Sequence, residues 1–167
     1  MISSKHGATR EIANAVADRL SDAGHSVTTV DATAQETDLD KFDAFVIGSA
    51  LYMGHWTKEA HRFINEHHTQ LAAKPVWLFS SGPLGDPSEP VKSDPDVDEL
   101  TALLGARGHA VFGGALDKAD LNLVERAAIR AVHAKCGDYR HWDEIAAWAD
   151  DIDKALKNIS AHTMPAN

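Results

Sequence analysis

Three short segments carry the groups that could do chemistry. Ser4, Lys5, His6, Gly7, Ala8 and Thr9 combine hydroxyls, a glycine and the start of a helix. The free N–H groups and positive dipole end of a helix suit a phosphate without many cations, and the plainer reading is an N-cap by Ser4 or Thr9. The second segment, Gly48, Ser49, Ala50, Leu51, Tyr52, Met53, Gly54, His55 and Trp56, places two aromatics and a thioether in a loop. Water exposure there is wasteful unless a flat aromatic cofactor covers them; otherwise Tyr52 and Trp56 simply cap the core. The third, Ser80, Ser81, Gly82, Pro83, Leu84 and Gly85, offers small residues and backbone donors that a ring edge could approach, or forms an ordinary turn.

Periodicity shows what must position them. The spacing predicts a helix over 9–20, with Ile12, Ala13, Val16 and Leu20 on one face and Gly24 as its stop. A β-branched stretch, 27–30, and an acidic connector, 31–43, lead to an apolar run at 44–48 that suits a strand buried on both faces. Ala60, Phe63, Ile64 and Leu71 have helical spacing, and 75–79 reads as another buried strand. Residues 82–94 read as a surface loop, after which Asp94 and Pro95 look like an N-cap and first helical position of a helix reaching about Arg107. The last strand is expected at 110–115, an additional helix on Leu121, Val124, Ala128 and Val132, and a closing helix on Ile145, Trp148, Ala149, Ile152 and Leu156. This alternation predicts a single α/β domain over 1–167, a parallel sheet covered on both faces. Ligands of such sheets sit beyond the carboxyl ends of the strands, where the three segments fall.

Composition narrows the classes. With 167 residues, 44% hydrophobic and 25% charged, the chain can bury a sizeable core, which excludes a disordered tail or a disulfide miniprotein. Sixteen basic against 25 acidic residues give a net charge of −9, which disfavours nucleic acid as a partner. Cys136 is the only cysteine, so neither an internal disulfide nor a thiolate-rich metal cage is expected. No stretch reads as a signal peptide or bilayer span, and the expected location is the cytoplasm.

Taken together, the three segments and the late Gly113, Gly114, Ala115 and Leu116 resemble the flavodoxin-like domain family, in particular its menaquinone-dependent protoporphyrinogen oxidase branch. The resemblance covers roughly residues 3–157. It implies a five-stranded sheet of order 2-1-3-4-5 that binds flavin mononucleotide (FMN), and an oxidoreductase passing electrons to a quinone or another acceptor. The family's phosphate pattern of hydroxyl, any, Thr, Gly, any, Thr falls on Ser4, Lys5, His6, Gly7, Ala8 and Thr9, with His6 in place of the usual Thr. The resemblance sets Ala50, Leu51, Tyr52, Met53, Gly54 and Trp56 along one side of the isoalloxazine, with Tyr52 or Trp56 stacking. Ser81, Gly82, Pro83, Leu84 and Gly85 lie along its other edge. The flavin carries the chemistry, so no catalytic side chain is expected.

A helical insertion at about 117–139 matches the oxidase branch and is absent from simple flavodoxins. Within it Arg126, Arg130 and His133 fall on one stripe that could meet an anionic lipid surface or a carboxylate-bearing substrate, or be a solvated face balanced by Glu125. No metal is expected, because His61, His67 and His68 lack the i, i+4 spacing of a helical zinc site. Three functions remain: an enzyme oxidising an organic donor such as protoporphyrinogen, a one-electron carrier between protein partners, and a member without flavin. Absorption at about 450 nm separates the first two from the third. The third arises because only Met1, Ile2 and Ser3 precede the first loop, where this fold wants a central strand of about five residues. The expectation is that the true start lies upstream or that this form is compromised, and that about seven added residues would raise solubility and flavin occupancy.

Overall fold

The computed structural model describes residues 1–4, 7–34, 38–52, 54–82, 95–116 and 137–163. Its elements in chain order are β1 (Ile2–Ser3), α1 (Ala8–Asp22), β2 (Phe45–Tyr52), β3 (His55–Trp56), α2 (Lys58–Ala72), β4 (Val76–Ser81), α3 (Pro95–Leu104), β5 (Gly108–Phe112), β6 (Ala115–Leu116), β7 (Gly137–Asp138) and α4 (Trp142–Thr163).

The principal sheet runs β1-β2-β4-β5, all parallel, with β3 folded back antiparallel on β2. Beyond β1, a parallel bridge between Ile2 and Asp31 marks the place of one further strand. Counting that bridge, the lanes follow the 2-1-3-4-5 order. Apolar residues alternate between two covered faces, as a strand's period of two requires. On one face Phe45, Ile47, Val76 and Leu78 pack under α2 and α3, through Phe63, Ile64, Leu71, Val97 and Leu104. On the other, Trp77, Phe79 and Phe112 pack under α1 and α4, through Ile12, Val16, Leu20, Ile145 and Ile152. Burying each such side chain contributes about 1.5–3 kcal/mol. The closest approach is at Gly48, whose missing side chain leaves room for the Phe79 ring: a Cβ there would lie 2.0 Å from that ring.

Several boundaries differ from those the sequence suggests, each for a local reason. Helix α1 ends where expected, with Gly24 N–H donating to Ser21 O and His25 N–H to Leu20 O, the paired bonds that close a helix through a left-handed glycine. The same pair, Gly105 to Ala102 and Ala106 to Thr101, ends α3 at Leu104, short of Arg107. The expected 110–115 strand is two elements, because β5 stops at Phe112 and β6 turns away to pair with β7. Gly113 lies at that break, under the Tyr139 carbonyl, which a Cβ would meet at 1.9 Å. Residues 27–30 are not a strand. The anticipated insertion at 117–139 ends in β7 at Gly137–Asp138; Asp94 and the rest of the insertion, including Leu121, Val124, Ala128, Val132, Glu125 and the Arg126, Arg130, His133 stripe, lie outside the described residues. Among the described residues no helix is long and apolar enough to cross a membrane.

Candidate functional site

The carboxyl ends of β1, β2 and β4 lie side by side, with Ser3 opposite Ser49 and Ser49 opposite Ser80. Each strand places a serine at this level: Ser3 and Ser80 near the ends of β1 and β4, and Ser49 within β2. On the α2 face the row is tied together: Ser3 Oγ lies 2.5 Å from Thr57 Oγ1, and Thr57 N–H donates to Ser49 Oγ at 3.1 Å. Thr57 also caps α2, accepting from Ala60 N–H. On the α1 face Thr9 donates to Ser81 Oγ at 3.1 Å, tying the first turn of α1 to the end of β4. Ser3, Thr9, Ser49, Ser80 and Ser81 are all buried, and hydroxyls removed from water are stable only when bonded in this way.

The first segment opens α1 without a side-chain cap. Its N-cap is Gly7, at φ +89°, and neither Ser4 nor Thr9 caps the helix. Ser4 Oγ instead accepts from Gly7 N–H at 3.1 Å. A Cβ on Gly7 would touch nothing within 4 Å, and the N–H groups that open a helix lack partners within it, which suits an anion. Nearby cations are engaged elsewhere: Arg10 pairs with Asp31 at 2.5 Å, and Arg140 with Glu11 and Asp138. Hydrogen bonds from Arg140 hold the Asp138 carboxyl below its ordinary range. Lys5 and His6 lie outside the described residues.

The second segment is a hairpin, because β2 continues past Gly48 to Tyr52 and returns as β3, pairing Tyr52 with His55 and Leu51 with Trp56. Ala50, Leu51 and Tyr52 are thereby held on the sheet, and Gly54 lies in the turn at φ +87°; Met53 is outside the described residues. Trp56 turns inward. It is 3% exposed, and its indole N–H donates to Ser80 Oγ at 2.8 Å. Its ring is therefore packed in the α2 and α3 layer, and stacking on it would require that core to open. Ser80 also contacts His109 Nε2 at 2.8 Å, and burial pushes the His109 pKa down, against the opposing pull of Asp98. The third segment begins at Ser81 and Gly82, where Gly82 N–H donates to Phe112 O and the backbone turns at φ +94°. Pro83, Leu84 and Gly85 are outside the described residues.

Sequence reasoning passed over Ser3 and Thr57, and did not place Ser49 and Ser80 among the site residues. Their signal is a hydroxyl following the apolar run in each of three strands, with a helix-capping Thr57 beside them, readable only once the strands are aligned. No group of three His, Cys, Asp or Glu side chains able to hold a metal occurs among the described residues.

The family model described as flavodoxin domain matches residues 1–141. The chain belongs to that family. It is 24% identical to protoporphyrinogen IX dehydrogenase (quinone) of Escherichia coli strain K12 over 91% of this chain and 92% of the relative. In structure it resembles a flavodoxin from the domain Archaea, with a TM-score of 0.62 at 15% identity over 93% of this chain and 95% of the other. It also resembles the rubredoxin oxygen:oxidoreductase of Desulfovibrio gigas, with a TM-score of 0.63 at 14% identity over 94% of this chain and 35% of the larger one.

This flavodoxin-domain protein is thus a flavoprotein oxidoreductase whose cofactor is FMN. The residues present fit that group. An uncapped helix start suits a phosphate, and the hairpin and the Gly82 turn bring backbone groups to the same end of the sheet.

Proposed function

We propose that the protein oxidises an organic donor, a porphyrinogen foremost, and passes the electrons to a quinone. One observation carries this reading: the likeness to the Escherichia coli dehydrogenase, whose name states that donor and acceptor, extends over nearly the whole chain. The excursion between β6 and β7, which the family model also spans, is in keeping with it.

When bound, the flavin supplies the redox chemistry. In this reading the phosphate is held by Ser4, Lys5, His6, Gly7, Ala8 and Thr9, chiefly through the main-chain N–H groups that open α1. Ala50, Leu51, Tyr52, Met53 and Gly54 flank one side of the ring, and Ser81, Gly82, Pro83, Leu84 and Gly85 its other edge. The Thr9 to Ser81 bond fixes the phosphate turn relative to the third segment, so both ends of the cofactor are positioned by one rigid frame. Trp56 acts from beneath, anchoring the returning strand through Ser80.

The test is to load the purified chain with FMN and follow anaerobic loss of protoporphyrinogen with and without a menaquinone analogue. Quinone-dependent steady turnover is expected. A yellow protein that a flavodoxin reductase reduces, but that never turns over the porphyrinogen, overturns the reading in favour of an electron carrier, a role that the net charge of −9 would suit through contacts with basic partners.

A further inference from the structure

Side chains from three strands form one hydrogen-bonded line in the layer under α2 and α3. The indole N–H of Trp56, on β3, donates to Ser80 Oγ on β4 at 2.8 Å, and Ser80 Oγ lies 2.8 Å from Nε2 of His109 on β5. Ser80 is 1% exposed, so a partner lost from this line is not replaced from bulk water.

The donors fix the direction of the line. An indole nitrogen only donates, which makes Ser80 Oγ the acceptor there. The Ser80 proton then needs an acceptor of its own. Among the described residues that acceptor is His109 Nε2, which accepts only while the imidazole is neutral and carries its proton on Nδ1. Protonation would turn Nε2 into a second donor aimed at Ser80 Oγ, leaving the serine proton buried without a partner. At the other end of the line, β3 is two residues long and pairs with β2. Its neighbouring side-chain ties are Trp56 to Ser80, Thr57 N–H to Ser49 Oγ, and His55 to Asp96 at 3.3 Å. Of these three, the Trp56 bond is the buried one.

We propose that His109 is a positioning residue for the β2–β3 hairpin: through Ser80 and Trp56, its neutral imidazole holds the returning strand in the posture that flanks the flavin, which rests on the hairpin lying beside the ring. The groups around the imidazole favour that neutral state. From β4 come Leu78 and Ser80, both uncharged, and from α3 comes Asp98. Burial outweighs the pull of Asp98 and keeps the His109 pKa below its ordinary 6.5. At the rim, His55 and His61 both face the Asp96 carboxylate, with Lys58 and Glu99 lining the same outer groove. Protonation of those two histidines would tighten the rim, the opposite sign to His109.

The experiment compares the full chain as wild type, His109→Gln and His109→Leu. Glutamine supplies an amide oxygen that accepts a hydrogen bond and does not titrate, whereas leucine supplies no acceptor. Hydrogen-exchange protection at Leu51, Tyr52 and Trp56 is read without FMN, and FMN affinity separately, from about pH 7.5 to about pH 5. Wild-type protection is expected to fall about tenfold over that range, and in His109→Gln not to fall. In His109→Leu it should lie about tenfold below wild type already at about pH 7.5, with FMN binding weakened in parallel. A His109 that only fills space would be replaced as well by leucine as by glutamine. Matching profiles for wild type and His109→Gln, or unchanged protection in His109→Leu, overturn the inference. Protection that follows His109 while FMN affinity does not would uphold the relay and move the ring away from the hairpin.

Discussion

The two ends of the sheet are built in opposite ways. At the carboxyl ends, five buried hydroxyls have partners, and the strands sit in continuous register from Ser3 through Ser49 to Ser80. At the amino end of β1, the half-buried Met1 nitrogen donates to Val46 O at 2.8 Å, and a cavity of about 560 Å³ opens beside it. The site end is organised because its polar groups satisfy one another across strands. The opposite end is lined largely by apolar side chains, among them Val16, Leu20, Phe63 and Phe79, even though both ends share the same central β1. The first turn of α1 is held by the Thr9 to Ser81 bond as well as by the two ladder residues of β1.

The largest effect is expected between these ends, at Gly48. A Gly48→Val side chain would meet the Phe79 ring at 2.0 Å, and urea unfolding should show a loss of about 3 kcal/mol. Next comes pH. Burial lowers the Met1 ammonium from 8.0 to about 6, so between those values the unfolded chain holds more protons than the folded one. Stability should therefore rise from pH 6 to 8, by up to about 2.7 kcal/mol. His109, also lowered by burial, contributes in the same direction. Acetylating the Met1 nitrogen, which removes its charge, should leave only the remaining slope; an unchanged slope would mean the charge never felt the burial.

At the site end, Thr9→Val removes the donor to Ser81 Oγ, and both side chains are buried. A loss of about 1.5 kcal/mol is expected, with weaker FMN binding by fluorescence titration. Smallest is Gly7→Ala. With open space around it, only the φ of +89° opposes the substitution, at about 1 kcal/mol. Its FMN affinity should fall more than its stability does, whereas an intact affinity would move the phosphate away from this turn.

Much of the frame was legible in the residues themselves. Ile12, Val16 and Leu20 face the core as their spacing requires, as do Ala60, Phe63, Ile64 and Leu71. The buried strand at 75–79 is β4, extended by two serines. Less legible were features that depend on a neighbour in space. Gly105 ends α3 before Arg107 through bonds to Thr101 and Ala102. The 27–30 stretch has strand-forming residues, but strand structure needs a partner ladder, which only Ile2 supplies. For Trp56 the residues left two readings open, stacking on a cofactor or capping the core; the hairpin reverses the chain and turns its ring inward, into the core.

Local chemistry along the chain determined the alternation of helices and strands and the family to which the pattern belongs, because these rest on periodicity and on short segments; the uncapped Gly7 opening of α1 was not among them, since Ser4 and Thr9 both read as caps. Tertiary structure alone decided that Ser3, Ser49 and Thr57 form one network, that Ser80 joins Trp56 to His109, and that Trp56 is core. Those properties come from the register between strands distant in sequence, and register is set by packing on both faces of the sheet at once.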